Sequence, residues 1–303
     1  MTFAALSLWI SNLRMQVLLR ILSLIVGVGL GQIANAQTVS TTTYGTPGLI
    51  DMPTAQSAPD AELSTSVSHF AGGTRTTLSF QITPRLSGSF RYSILKNFFP
   101  TGALFDRSFD LRYRLVDEGK YRPAIAIGLQ DFIGTGIYSG EYLVASKRIV
   151  PAVTVTGGIG WGRLGSFNGF SNPLGGLNSG FNTRPSGFSG VGGVVESAKW
   201  FRGDAAFFGG VAWQATPKLT LKAEYSSDAY SIETSRGNFT RKSPYNFGLD
   251  YEIRKGINLH ANYLYGSEFG LGVTFKLNPK EPIVNGGAEK APQPMRVRLP
   301  DNI

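Results

Sequence analysis

The last third of the chain contains three runs in which apolar and polar residues alternate almost without exception. They cover residues 245–253, 257–263 and 269–277. Strict period-two alternation indicates β-strands with one apolar and one polar face. The connectors, Arg254-Lys255-Gly256 and Gly266-Ser267, are short enough only for antiparallel hairpins. This region therefore predicts a meander of amphipathic strands.

The same alternation recurs upstream. It predicts strands at residues 62–70, 75–83, 86–94, 108–115, 121–132, 139–149, 152–161, 205–215 and 219–226. Most have roughly the ~9–11 residues that a tilted bilayer-spanning strand requires. Short turns (83–85, 116–120, 150–151, 216–218, 254–256) alternate with longer connections (95–107, 162–204, 227–243). We expect an all-β protein, an antiparallel up-and-down transmembrane β-barrel of about twelve strands whose short turns are periplasmic.

Period two alone does not decide which face is buried. A secreted β-sandwich or a small soluble barrel would turn its apolar side chains inward. Three features favour lipid outside. Aromatic residues recur near strand ends, as at membrane interfaces. The charges within strands lie almost wholly on the polar face, and closing the sheet removes edges that lipid could not satisfy.

The N-terminus has the sequence pattern of a secretory signal. An apolar run at residues 18–33 has Arg14 and Arg20 at its start and Ala34-Asn35-Ala36 after it. This predicts a signal peptide over residues 1–36, cleaved between Ala36 and Gln37, with an N-terminal membrane anchor as the alternative. The remaining predicted parts are a lead-in segment (37–61), the barrel (62–277) and a disordered, proline-rich periplasmic tail (278–303). The sequence has no cysteine, which excludes disulfides, thiolate metal sites and a lipid-anchored N-terminal cysteine.

Two stretches do not fit the strand pattern. Residues 44–55 contain two prolines and two glycines, which exclude a regular helix or a central strand. They predict either an ordered lead-in loop or a segment tucked into or beneath the barrel. Residues 162–204 form a long insert rich in glycine, serine and asparagine, and such an insert is uncommon unless it is functional or mobile.

The polar strand face would line the lumen. It carries eight charged side chains, which are the candidate substrate-binding residues: Arg91, Asp110, Arg112, Arg114, Lys222, Glu224, Asp250 and Glu252. One interpretation is that paired charges brace the interior. The other is a lining that favours an anionic, hydroxyl-rich polymer, because arginine binds carboxylates bidentately. The formal net charge of +9 is compatible with an acidic partner.

Signals for an enzyme are few. The only histidines are His69 and His260, and neither has both a nucleophile and an orienting carboxylate nearby in sequence. No phosphate-binding loop, metal-ligand cluster or basic-aromatic stripe stands out. We expect no catalytic residue, no metal, no cofactor and no nucleic-acid partner.

The last run resembles a C-terminal signal for the barrel-assembly machinery. Its pattern places Gly270, Val273 and Phe275 in the spacing expected of such a signal. The alternative is that this run is merely another amphipathic strand.

Two blocks of sequence resemble a known family. They are Gly48-Leu49-Ile50-Asp51-Met52-Pro53-Thr54-Ala55 and residues 108–147, SFDLRYRLVDEGKYRPAIAIGLQDFIGTGIYSGEYLVASK. Both are similar to the YjbH family of outer-membrane proteins linked to exopolysaccharide production. The chain lacks the lipoprotein cysteine of some members and is shorter than members with two barrels.

The resemblance implies a non-enzymatic barrel, in the outer membrane of a Gram-negative bacterium, that assists biosynthesis or export of an exopolysaccharide. Its expected partners are outer-membrane lipids and an anionic exopolysaccharide. The alternatives are a general diffusion porin and a secreted structural β-sandwich protein. No catalytic residues carry over from the family.

Overall fold

A computed structural model describes residues 39–185 and 193–281, and within them twelve antiparallel strands close into a barrel. The barrel strands are β1 (Leu63–Phe70), β2 (Gly73–Gln81), β3 (Leu86–Phe99), β4 (Gly102–Val116), β5 (Ala124–Gly134), β6 (Gly140–Val150), β7 (Val153–Gly162), β9 (Ala205–Thr216), β10 (Leu219–Tyr225), β11 (Tyr245–Arg254), β12 (Ile257–Leu264) and β13 (Glu268–Leu277). A two-residue strand, β8 (Val194–Val195), pairs with the end of β5. The expected up-and-down barrel of about twelve strands is confirmed.

Each barrel strand pairs with its neighbour in sequence, and the seam between β1 and β13 closes the cylinder. At the seam Leu63 lies opposite Leu277 and Val67 lies opposite Val273. The long insert leaves the barrel after β7 and returns at β9, so these two strands pair directly. Closure satisfies the backbone groups that an open sheet would expose.

The apolar strand face points outward and the polar face points inward. On β11, Phe247 and Tyr251 are 55% and 44% exposed, whereas Asn246 and Asp250, on the alternate positions, are 0% and 7% exposed. The alternative of a soluble sandwich with an apolar core is therefore wrong. The interior of this barrel can be polar and buried because its inward side chains form hydrogen bonds and ion pairs with one another and with a segment of the chain itself.

The two ends of the barrel differ. Five short turns lie at one end, beside the start of β1 and the end of β13, and we call this the inner end. The long insert and the 226–244 connection lie at the opposite end, which we call the outer end. The insert contains short 3₁₀ turns at Arg163–Gly165, Pro173–Gly176, Ser179–Asn182 and Ser197–Lys199, and the other connection contains a helix at Ser231–Ser235. Among the described residues, no helix has the length and apolar character needed to cross a bilayer.

One expected loop is part of the sheet. Residues 95–107 were expected to form a long connection, but they extend β3 and β4 into a hairpin that turns at Pro100 and Thr101. Asn97 has φ 57°, and the strand register shifts between Leu95 and Phe99. Asparagine tolerates this left-handed conformation, so the irregularity is absorbed and the pairing continues.

Several predicted parts lie outside the described residues. These are the signal peptide at 1–36, its cleavage site at Ala36 and Gln37, and all of the predicted tail beyond residue 281. The predicted assembly-signal residues lie on β13, where Val273 and Phe275 are on the outward face and Gly270 is inward. A Cβ at Gly270 would lie 2.8 Å from Leu264 Cδ1, so this position suits glycine. The role of these residues in assembly stays a prediction.

Candidate functional site

The segment before β1 lies inside the barrel. Residues 39–56, here called the plug, are mostly buried and fold into two tight turns. Isolated bridges join Thr41 to Pro47 and Gly48 to Pro53, and the Leu49 N–H donates to Met52 O at 2.9 Å. Of the two possibilities that the sequence left open, the structure has the second, a segment tucked into the barrel.

The first anchor of the plug is the carboxylate of Glu224 on β10. It accepts hydrogen bonds from the backbone N–H groups of Ile50, Asp51 and Met52, at 2.8, 3.0 and 2.9 Å. The Asn246 side-chain amide donates to the same carboxylate at 2.9 Å. Three successive N–H groups that converge on one anion form a backbone nest, and charge-assisted bonds of this kind are among the stronger ones in proteins.

The second anchor is Asp51 of the plug, which is 2% exposed. Its carboxylate accepts from the hydroxyls of Tyr230, at 2.8 Å, and Tyr265, at 2.5 Å. It also accepts from the neighbouring plug residue Thr43. Tyr230 and Tyr265 belong to the outer-end connections, so this anchor ties the plug to the outer loops.

A third anchor holds the start of the plug near the inner end. Lys222 donates from Nζ to Leu49 O at 2.7 Å and lies 2.7 Å from Asp250 Oδ1. Asp250 also bonds to His260 Nδ1 at 2.7 Å and to Ser40 of the plug. Buried charges are tolerated when they are paired and hydrogen-bonded in this way.

Arginines surround the plug on its other side. The Arg75 guanidinium lies 4.1 Å from the centre of the Tyr44 ring, which is within cation–π range. Arg91 is fully buried and pairs with both oxygens of Asp110, at 2.7 and 3.1 Å. Arg112 donates from Nη2 to the Thr54 carbonyl at 2.8 Å.

The eight predicted lumen charges therefore divide into two groups. Six of them are buried on the inward face and bond to the plug or to one another: Arg91, Asp110, Arg112, Lys222, Glu224 and Asp250. Arg114 and Glu252 lie half-buried near the inner end, and Arg114 pairs with Asp117 at 3.0 Å. The partners of the central charges are protein groups, as expected of a braced interior.

Little space remains around the plug. The cavities between the plug and the strands, at four places in the described part of the lumen, have volumes of about 10, 10, 20 and 10 Å³. A cavity of this size has room for about one water molecule. Inward glycines provide the space for the plug: a Cβ at Gly210 would lie 2.7 Å from Leu49 Cδ1, and one at Gly248 would lie 3.1 Å from Ile50 Cδ1.

One group of lumen residues has the geometry of a catalytic triad. His260 lies between the Asp250 carboxylate, at 2.7 Å, and the Thr274 hydroxyl, at 2.8 Å, with the Thr41 hydroxyl 3.2 Å away. Both threonines are remote from His260 in sequence, one on the adjacent strand and one in the plug, so spacing along the chain does not reveal them. The small cavities beside this group would not admit a substrate. In the described parts of the chain, no cluster of three or more His, Asp or Glu side chains could hold a metal ion.

A larger cavity lies at the outer end and is here called the outer vestibule. Its volume is about 280 Å³, and its lining includes Ser139, Arg163, Ser166, Arg184, Lys199 and Asp228. Arg163 pairs with Asp228 at 2.6 Å and with Glu233 at 2.8 Å, and Arg184 pairs with Glu141 at 2.6 Å. Burial raises the pKa of Asp228 to about 6, against the opposing effect of Arg163.

The outer connections are basic. The connections at 163–204 and 226–244 contain seven basic residues (Arg163, Arg184, Lys199, Arg202, Arg236, Arg241 and Lys242) and four acidic ones (Glu196, Asp204, Asp228 and Glu233). The Arg163 guanidinium also lies 5.0 Å from the centre of the Tyr138 ring, and Tyr138 packs edge-on against Tyr44 of the plug. The vestibule and the plug are therefore in physical contact through aromatic and cationic side chains.

A closed cylinder with an apolar exterior and a polar interior defines a porin-like β-barrel of the transmembrane type. The model of the YjbH family, described as "Exopolysaccharide biosynthesis protein YbjH", matches residues 40–302. The chain belongs to this family. The resemblance inferred from the motifs at residues 48–55 and 108–147 is thus confirmed.

A curated relative is the uncharacterized lipoprotein YjbH of Escherichia coli (strain K12). It is 33% identical over 263 residues, which cover 83% of this chain and 37% of the relative. The chain therefore spans little more than a third of that protein. Among solved structures, the NanC porin aligns with TM-score 0.38 and 12% identity, covering 71% of this chain and 100% of that one. The KdgM porin aligns with TM-score 0.39 and 10% identity, covering 71% and 98%.

Proposed function

We propose that this chain is a non-enzymatic outer-membrane β-barrel of a Gram-negative bacterium that assists the biosynthesis or export of an anionic exopolysaccharide. The observation that carries the proposal is the lumen, which is filled by the plug and bonded to it by buried charges, beneath a basic outer vestibule. The family to which the chain belongs is described as one of exopolysaccharide biosynthesis, and for this reason we propose an exopolysaccharide as the polymer.

The surface of the barrel supports the membrane location. Outward side chains of the strands are predominantly apolar, for example Leu249 on β11 and Leu259 on β12. Only a closed barrel or a helix satisfies its backbone within a bilayer. Outer-membrane lipids are then the immediate partners of the exterior, and the barrel-assembly machinery would recognise β13 through Gly270, Val273 and Phe275.

The plug argues against general diffusion. A diffusion porin needs a continuous aqueous path, whereas the cavities beside the plug each have room for about one water. The lumen charges serve to hold the plug, and the polymer would meet the basic outer end. Tyr230 and Tyr265 connect that end to Asp51, so occupation of the vestibule would act on the plug through those hydroxyls.

The first test uses planar bilayers. We expect the purified chain to show no large, unselective conductance. A stable open pore of that kind would refute the proposal and favour a general diffusion porin.

The second test removes positive charge from the outer end. In a strain deleted for this chain, complementation with Lys96→Gln/Lys242→Gln should restore less surface acidic polysaccharide, measured with a cationic dye, than the wild type does. Both lysines are exposed at the outer end, Lys96 near the end of β3 and Lys242 in the 226–244 connection. The matched control, Lys218→Gln/Lys255→Gln, makes the same charge change at exposed inner-end positions and should restore the wild-type amount. Equal restoration by the two variants would contradict the role of the outer end, and an unchanged polysaccharide level in the deleted strain would contradict the function as a whole.

A further inference from the structure

Arg107 is a charged residue on the apolar face of a strand. On β4 the outward side chains include Phe105, Arg107, Phe109, Leu111 and Tyr113, and all five are exposed. Arg107 therefore points toward the bilayer in the proposed location.

The neighbours of Arg107 are aromatic. Its guanidinium lies 5.7 Å from the centre of the Tyr92 ring, on the opposite residue of β3. Phe105 stacks on Tyr92 at 6.4 Å between ring centres, and Phe109 packs on Phe90 at 5.1 Å. These rings hold the guanidinium over an apolar surface, and their carbon atoms do not accept conventional hydrogen bonds from its N–H groups.

No carboxylate pairs with Arg107 within the described residues. Two other charges at outward positions of the described strands do have ionic partners: Lys147 lies 2.7 Å from Glu118, and Glu141 lies 2.6 Å from Arg184. Arg107 is thus a cation on a lipid-facing surface whose counter-ion is missing from the described protein.

The depth of Arg107 places it at the outer membrane interface. Eight residues separate it from Leu115, near the inner end of β4. At about 3.3 Å per residue and a tilt of about 40°, this corresponds to roughly 20 Å along the membrane normal. An apolar band about 25 Å tall that begins at Leu115 would end just beyond Arg107. A long arginine side chain at this level reaches the headgroups while its stem stays in the apolar layer.

Polar side chains continue the row around the barrel. Thr76 on β2 lies opposite Tyr92, and one step further out Thr74 bonds to His69 of β1 at 2.8 Å. The hydroxyls of Tyr92 and Thr76, on the two strands that follow β4 around the barrel, can donate to a phosphate, and arginine matches phosphate geometry bidentately. We propose that Arg107, with Tyr92 and Thr76, forms a binding site for the phosphate of a lipid headgroup on the exterior of the barrel. This inference rests on the proposed membrane location.

The test measures lipid retention by native mass spectrometry of the full chain in detergent. The probes are phosphatidic acid and a diacylglycerol with the same acyl chains, which differ only in the phosphate. We expect the wild type to retain phosphatidic acid on the order of tenfold more than Arg107→Gln does, because the bidentate charge-assisted contact is lost. The diacylglycerol should be retained weakly and equally by both proteins.

The matched control is Lys147→Gln, which removes an outward-facing cation at the opposite end of the barrel, where Glu118 already pairs with it. It should retain phosphatidic acid as the wild type does. Heat-modifiable migration on a detergent gel shows that each variant is folded. Equal retention of phosphatidic acid by the wild type and Arg107→Gln would overturn the inference, as would displacement of the lipid by an equal concentration of inorganic phosphate. A chain that stays soluble without detergent would instead refute the membrane location, so the two failures are distinguishable.

Discussion

Replacing Glu224 by glutamine should release the plug from the lumen. The two carboxylate oxygens of Glu224 accept from three backbone N–H groups of the plug and from Asn246. Glutamine keeps one acceptor oxygen and puts an N–H₂ group where the other was. Asn246 cannot rotate to compensate, because its own oxygen accepts from the Tyr265 N–H at 2.8 Å. With its oxygen at the Oε2 position, the glutamine still accepts from the three plug N–H groups, but its own N–H₂ group faces that of Asn246, so two buried donors have no acceptor.

The magnitude follows from the number of unsatisfied donors. Each buried donor left without a partner costs about 1–3 kcal/mol, so docking of the plug should weaken by about 2–6 kcal/mol. The lower limit corresponds to roughly a 30-fold larger undocked population.

The sequence offers a clean assay because it contains no cysteine. Thr54→Cys places a single thiol on the plug at a residue that is 2% exposed, and the hydroxyl it replaces has no hydrogen-bond partner. The rate at which a charged thiol reagent modifies this cysteine then reports release of the plug. We expect Glu224→Gln to raise that rate at least about 30-fold. Glu252→Gln, a half-buried carboxylate near the inner end, is the matched control and should leave the rate unchanged. An unchanged rate in Glu224→Gln, or an equal rise in the control, would refute the anchoring argument.

Three further predictions concern other parts of the barrel. Gly248→Ala should also raise modification of Thr54→Cys, because its Cβ would lie 2.2 Å from Asn262 Oδ1 and 3.1 Å from Ile50 Cδ1, whereas Gly157→Ala, with no atom within 4 Å, should not. Val273→Asp combined with Phe275→Asp should prevent membrane insertion, because a lipid-facing charge costs up to about 2–4 kcal/mol; unchanged heat-modifiable migration would contradict this orientation. Because burial raises the pKa of Asp228 to about 6, the folded chain binds more protons than the unfolded chain between about pH 4 and 6. Its stability should therefore fall by up to about 3 kcal/mol as the pH rises through this range, a loss measured by chemical denaturation that Asp228→Asn should abolish.

The fold could be predicted because period-two alternation is a local signal. Within each run, alternate residues lie on the same face of the strand. The strands and their outward face therefore follow from residues such as Tyr245, Phe247 and Leu249. The sequence does not reveal the β3–β4 hairpin, because Asn97, Pro100 and Gly102 together resemble a loop. One left-handed residue, Asn97, was enough to absorb the irregularity.

The plug could not be predicted with the same certainty, because its partners are remote in sequence. Glu224 lies more than 170 residues from the amides it accepts from, and no periodicity links them. The sequence placed Glu224 and Asp250 on the lumen face but could not show what they bind. It also gave no sign of Asp51, Tyr230 and Tyr265 as a group, since their hydroxyl-to-carboxylate contacts depend on loop conformations.

The position of the plug at the start of the chain limits the order of assembly. Residues 39–56 precede β1, yet Ser40 bonds to Asp250, 210 residues later, and Thr41 bonds to Thr274 on the final strand. Contacts between such distant parts of a chain form slowly, after most of the intervening chain has been ordered. With so little free space around it, the segment could not be threaded into a finished cylinder. The plug must already lie among the assembling strands when β13 pairs with β1. That last pairing step therefore encloses the plug and closes the barrel at the same time.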